Sequence, residues 1–296
     1  MRKFRAVSVL GVALSTMLTG CYKTVRIVQQ THAPTVYRSA PVEVLEQQVS
    51  DRDASIKTLN ASVLITASVG GGKAGKITEY TSFRGYIFIR KPDNLRVLMQ
   101  LPVLGSKALD MVSDKDTFTL MRASSHGNVW IQGTNSVSKP SKNGLENLRP
   151  PVFFDSLLVP GVNADDFVTL TENTRVLQGE SRHHEAIEEP DYDLTVSRRK
   201  TGNVLQRLRV IHINRVDMLP FEQDIYDNHG RIVTQAIYEH YQPYGNLQFP
   251  ALITIRRPLD EYSLKIEVTK LTLNGKFEDD QFELKIPPNV DVQKIN

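Results

Sequence analysis

The chain has 296 residues, 36 Lys plus Arg against 33 Asp plus Glu, and one cysteine. The first twenty residues hold three basic residues, Arg2, Lys3 and Arg5, and no acid, so from residue 21 onward 33 basic residues face 33 acidic ones. That neutrality removes the bulk-charge case for nucleic-acid binding, and a single thiol excludes any disulfide within the chain.

Arg2, Lys3 and Arg5 lead into an apolar run from Ala6 to Leu18, followed by Thr19-Gly20-Cys21. A basic n-region, a short h-region and small residues at a cleavage point make a secretory signal. The run is too short to cross a ~30 Å hydrocarbon core as a helix. Leu18-Thr19-Gly20-Cys21 resembles the bacterial lipobox. That resemblance implies cleavage before Cys21, diacylglycerol on its thiol, and an acyl chain such as palmitate on its new amine. Two or three acyl chains anchor a protein stably, since each buried methylene contributes ~0.8 kcal/mol. Tyr22, rather than Asp, follows the cysteine. By the proteobacterial sorting rules this implies an outer-membrane lipoprotein, anchored by its lipid and facing the periplasm.

Residues 21–40 are polar, with Pro34 and no clean period, and read as the lipidated cysteine and a tether. Pro41 to Leu59 suits a helix: proline fits the first turn, Glu43 and Glu46 favour the positive end of the dipole, and Val42, Leu45, Val49, Ile56 and Leu59 recur at helical spacing. The period then becomes two. Leu95, Val97, Met99 and Leu101 alternate with Asn94, Arg96, Leu98 and Gln100, and Tyr262, Leu264, Ile266 and Val268 do the same. Weaker alternation marks 61–69, 77–90, 117–123, 128–132, 166–170, 192–198, 204–216, 221–226, 231–241, 251–256 and 282–286, with turn signals such as Thr201-Gly202-Asn203 and Asn274-Gly275 between many of them. About eleven strands joined by hairpin-sized gaps predict a mainly β fold, a single curled antiparallel sheet. Leu145 to Val159 interrupts it with Leu148, Val152, Phe153, Phe154, Leu157 and Leu158 behind Pro150-Pro151, and is expected to be a helix burying a broad apolar face against the sheet.

Few residues suggest reaction chemistry. Gly70-Gly71-Gly72-Lys73-Ala74-Gly75-Lys76 has P-loop spacing, but Ile77 stands where a magnesium-binding hydroxyl is needed and a strand follows, so it reads as a hairpin connection. Ser197-Arg198-Arg199-Lys200 and Lys200-Thr201-Gly202 spell penicillin-binding signatures but share one lysine. His183-His184-Glu185 would point adjacent imidazoles to opposite faces of a strand and reads as part of a solvated acidic loop; His212, His229 and His240 are scattered. No Gly-x-Ser-x-Gly elbow occurs. The expectation is a non-enzyme with no cofactor and no metal.

Ile87-Phe88-Ile89-Arg90-Lys91-Pro92-Asp93-Asn94-Leu95-Arg96 resembles the strand-turn-strand of the lipoprotein carrier and receptor family (LolA/LolB-like). Met111-Val112-Ser113-Asp114-Lys115-Asp116-Thr117-Phe118 is similar to that family's next strand, turn and strand, and Phe282 to Val292 to its closing strand with a Pro-Pro exit. The resemblance spans 41–292. It implies an incomplete barrel (half-barrel) whose apolar concave face is plugged by helix and holds lipoprotein acyl chains or another hydrophobic ligand. The implied wall residues are Val63, Ile65, Phe83, Ile87, Ile89, Leu95, Val97 and Met99, with Phe153, Phe154 and Leu157 on the plug. The family's carrier latches its lid with an arginine before the proline; here Lys91 holds that place with Arg90 beside it. Val103 and Leu104 lie at a place comparable to the receptor's protruding apolar loop, which the resemblance implies is a membrane contact; the alternative is that Leu104 packs in the core. The expected function is binding a lipid or acyl chains for transport or localisation in the envelope. The alternative is a non-transporting scaffold lipoprotein with an envelope protein partner on the same fold.

Overall fold

The computed structural model describes residues 31–34, 36–102, 105–135, 149–177 and 186–295. The chain divides into two units, Met1–Ala33 with Val176–Glu188, and Pro34–Arg175 with Glu189–Asn296. In the first, strand β1 (Thr31–His32) pairs in parallel with Ala186–Ile187, and Thr31 Oγ1 donates to Glu188 Oε2 at 3.2 Å. Everything below concerns the second.

Helix α1 (Val42–Ser55) starts behind Pro41 and buries Leu45 and Val49. It ends four residues before the expected Leu59, because at Ile56 the chain extends and the apolar period changes from helical to two. Leu59, Ala61, Val63, Ile65 and Ala67 all point inward from β2 (Thr58–Gly71). The expected strand 77–90 is two strands, β3 (Lys76–Glu79) and β4 (Phe83–Arg90), which pair with different parts of β2. There follow β5 (Asn94–Gln100), β6 (Lys107–Ser113), β7 (Thr117–Ser124), β8 (Gly127–Thr134), helix α2 (Pro150–Leu157), β9 (Asp166–Leu177), β10 (Ala186–Thr201), β11 (Val204–Asn214), β12 (Pro220–Tyr226), β13 (Ile232–Tyr244), β14 (Leu247–Arg257), β15 (Tyr262–Leu273) and β16 (Val292–Ile295).

Sixteen strands among the described residues exceed the expected eleven or so. Strand β6 has no clean alternation in sequence because Asp110 is fully buried, bonded to Arg96 Nε (3.0 Å), Arg96 Nη2 (2.9 Å) and Lys107 Nζ (2.7 Å). The expected strand 282–286 is absent. Its first residue closes a 3₁₀ turn (Asp279–Phe282) and Pro287-Pro288 withhold two ladder donors; β16 forms further on.

The sheet runs β10-β11-β12-β13-β14-β15-β2-β4-β5-β6-β7-β8-β16, antiparallel except for β16 on β8. Gly133 of β8 admits that last strand: a Cβ there would lie 2.6 Å from the Ile295 carbonyl oxygen and 2.8 Å from the Phe118 ring. Strong curvature follows from one observation. Helix α2 contacts both β13 and β6, six strand steps apart. Flat, those strands would lie ~29 Å apart at ~4.8 Å per step, against a helix diameter of ~10–12 Å. The sheet therefore wraps around α2, and its concave side is the core.

Candidate functional site

The concave face is lined at every second residue: Val63 and Ile65 from β2, Ile87 and Ile89 from β4, Leu95, Val97 and Met99 from β5, and Ile253, Ile255, Leu264 and Ile266 from β14 and β15. Helix α2 lies among them. Pro150 and Pro151 occupy its first turn, where missing N–H groups cost nothing, and Val152, Phe153, Ser156 and Leu157 form its buried side. The expected helix 145–159 thus corresponds to Pro150–Leu157, residues 145–148 lying outside the described residues.

The expected wall and plug residues come together in this one core. Phe153, Ile89, Leu95 and Val97 are 0% exposed, while Phe83 and Phe154 pack at its edge. These side chains fill the space that the sequence expected them to line. Beside Leu157, Tyr238 and Phe249 a gap of about 20 Å³ remains, room for about one water. The larger opening is a cleft of about 400 Å³ at the edge of α2, between Pro150, Pro151, Phe154 and Leu158 on one side and Asp53, Lys91, Asp93, Asp114, Lys115 and Asn135 on the other. Of the eleven expected wall and plug residues only Phe154 reaches it.

Polar contacts hold α2 at two points. A helix leaves its last four carbonyls without intrahelical donors. Here Gln223 Nε2 donates to the Asp155 carbonyl at 2.6 Å, and the Phe154 carbonyl accepts from Leu158 N at 3.2 Å. At the other end Arg149 is 4% exposed, its guanidinium 5.0 Å from the Phe118 ring, with Nε and Nη1 lacking hydrogen-bond partners among the described residues. Burial holds the Arg149 guanidinium below the usual arginine range. The Asp155 side chain shares the cleft wall, and burial pushes its carboxyl up to about 6, against the pull of Arg209 and Arg257.

Lys91 and Arg90 hold other things. Lys91 Nζ pairs with Asp53 at the end of α1, donating to both its carbonyl and its carboxylate. Arg90 Nη1 donates to Asp279 at 2.7 Å, with the guanidinium 4.8 Å from the Phe282 ring, so it secures the 3₁₀ turn. Among the described residues neither bonds α2, although Lys91 lines the same cleft. Gln223 and Arg149, which do hold α2, carry no local sequence signal: a lone Gln in a strand and a lone Arg before two prolines. Cys21, Val103, Leu104, Leu148 and the His183-His184-Glu185 segment lie outside the described residues.

The opposite face carries a second polar group. Tyr192, Leu194 and Val196 of β10, Ile211 and Ile213 of β11, and Gln223 of β12 turn to the core, which sends Asp191, Asp193, His212, Glu222 and Asp224 the other way. Register sets Asp193, His212 and Glu222 in one line across three strands. His212 Nδ1 lies 2.6 Å from Asp193 Oδ1, and Nε2 is 3.7 Å from Asp224 Oδ2. Burial opposes a charge on this ring, yet Asp224 and Asp193 hold its pKa up to about 9. Burial, reinforced by Asp193, pushes the Asp191 carboxyl up to about 6.

An open, curled antiparallel sheet wrapped around one apolar helix defines the class, a half-barrel with a plug. No family model matches the sequence, and neither does any curated protein. Among solved structures the chain is similar to a LolA superfamily protein from Nitrosomonas europaea, at 13% identity over 81% of this chain and 97% of that one, TM-score 0.48. It is also similar to a DUF1329 family protein from Desulfovibrio piger, at 14% identity over 83% of this chain and 98% of that one, TM-score 0.48. Among the described residues no helix is long and apolar enough to cross a membrane.

Proposed function

We propose that this chain is a lipid-anchored envelope lipoprotein that takes a lipid, or a lipoprotein's acyl chains, between α2 and the concave face of the sheet. The observation that carries this reading is the short, mostly apolar helix α2 lying across that face, fastened by few polar bonds. Apolar burial at ~25 cal/mol per Å² supplies the binding energy without directional chemistry. Because Phe153 and Leu157 already fill the core, entry requires α2 to swing out, and the cleft beside Phe154 and Leu158 is the natural point of entry. The acyl chain would replace the contacts that α2 gives up. On this reading Cys21 tethers the domain beside the outer membrane that supplies or receives the ligand, and no catalytic step is involved.

The filled core also favours a second reading, a scaffold lipoprotein that binds an envelope protein and no lipid. One experiment separates them. The full chain carrying Cys21→Ser is exposed to phospholipid vesicles, re-isolated and weighed by native mass spectrometry, with hydrogen exchange followed in residues 150–158. One retained lipid and faster exchange in α2 support the carrier reading. No retained lipid, with α2 equally protected before and after exposure, overturns it in favour of the scaffold.

A further inference from the structure

The group around His212 is arranged as a cation site. Asp193 Oδ1, 2.6 Å from Nδ1, fixes the ring with Nδ1 as donor and leaves Nε2 to face away. Among the described residues Nε2 is buried and has no hydrogen-bond partner. It looks toward Glu222 and Asp224, and one ligand atom from each of the three residues lies within 4.8 Å of the others. The carboxylates are oriented in turn: Gln235 Nε2 donates to Glu222 Oε1 at 2.7 Å and to Asp224 Oδ1 at 3.1 Å. A carboxylate behind the distal ring nitrogen and an amide behind the acidic ligands are the outer supports that metal-binding histidines and carboxylates use. The separation of Nε2 and Asp224 Oδ2, 3.7 Å, is close to the ~3.4 Å between two ligands of a tetrahedral zinc ion.

Asp191 points to a ligand independently. It is 2% exposed, on the same face of β10 as Asp193, and its Oδ1 has no hydrogen-bond partner among the described residues. A buried acceptor of this kind needs a donor, and water on a bound cation is one. Charge agrees: Asp191, Asp193, Glu222 and Asp224 are all acidic, and of the two neighbouring guanidiniums Arg175 is taken by Glu189 while Arg256 Nη1 donates to Gln235 Oε1 at 3.3 Å.

We propose that His212 Nε2, Glu222 and Asp224 bind a divalent cation of the zinc class on the outer face of β10–β12, with Asp193 and Gln235 as positioning residues. One imidazole with two carboxylates is a borderline donor set that suits Zn²⁺ better than Ca²⁺ or Mg²⁺. The cation would join β11 to β12 on the side away from α2, independently of any lipid.

The test uses the full chain with Cys21→Ser, so that no thiol competes. Chelator-treated protein is titrated with Zn²⁺ by calorimetry, and Co²⁺ is added in parallel to read a tetrahedral absorption spectrum. One equivalent bound at micromolar affinity or tighter is expected, with a rise in Tm. His212→Gln and Asp224→Asn should each weaken binding at least tenfold, and Asp193→Asn by about 10–100-fold. The milder Gln235→Leu keeps every ligand, and should also weaken binding if the other variants fail to fold. Less than a fifth of an equivalent bound by the parent protein overturns the site, as does binding of Ca²⁺ alone or unchanged affinity in Gln235→Leu together with Asp193→Asn.

Discussion

Replacing Phe153 by alanine probes the centre of the half-barrel. The ring is 0% exposed on the buried side of α2, among Val152, Leu157 and the concave strands. Removing a buried phenyl forfeits its transfer free energy and leaves a cavity, for a typical cost of about 3–5 kcal/mol. The upper part of that range applies here, because hydrogen-bonded strands on both sides of α2 cannot close in on the gap. At ~2–4 °C per kcal/mol for domains of this size class, Tm should fall by roughly 10–15 °C. Urea unfolding followed by circular dichroism measures the loss directly, as a lower midpoint at unchanged slope. The vacated space is apolar and should stay dry, as engineered apolar cavities do, and so accept a small hydrophobic ligand. Benzene or a short alkane should restore part of the lost Tm in Phe153→Ala while leaving the parent chain unmoved. A loss under ~1 kcal/mol, well below the large-to-small range, would refute the packing of α2 against the sheet, and with it the idea of a plug.

Gln223→Leu should cost about 1–3 kcal/mol by orphaning the Asp155 carbonyl, and hydrogen exchange in residues 150–158 should quicken; unchanged exchange there would mean that Gln223 does not hold α2. The Asp155 carboxyl has a folded-state pKa of about 6 against an ordinary 3.8, so the folded state binds its proton more tightly than the unfolded chain. Stability should therefore fall as pH rises from about 4 to about 6, by up to about 3 kcal/mol, and Asp155→Asn should lose that fall; parallel pH profiles of the two proteins would refute it. Asp110→Ala leaves Arg96 and Lys107 without their shared carboxylate and should cost about 3–5 kcal/mol in urea unfolding, far above the loss expected of an exposed ion pair.

Much of the sheet is legible residue by residue. Leu95, Val97 and Met99, or Tyr262, Leu264 and Ile266, alternate because each strand meets the core on one side and solvent on the other, and that contrast is written locally. Where the contrast fails, so does the reading. Strand β6 is hidden by Asp110, a buried charge satisfied by Arg96 from the neighbouring strand, which no local window contains. Leu59 fits a helical period and a strand period equally, and only its pairing with Leu273 and Ile89 decides for the strand. The candidate plug was legible as an apolar run behind two prolines. Its fastening was not: Gln223 lies far down the chain and meets Asp155 only because β12 passes under the end of α2.

Sequence alone determined the mainly β composition and the residues that face inward, since each depends on neighbours within a few positions. Tertiary structure decided which distant residues meet. The register of β10, β11 and β12 puts Asp193, His212 and Glu222 in line, and the wrap of the sheet brings β6 and β13 to the same helix. It also decided that the apolar wall is packed shut around Phe153. Strand pairing and closure are long-range choices made by the summed burial of the whole sheet, and no segment encodes them by itself.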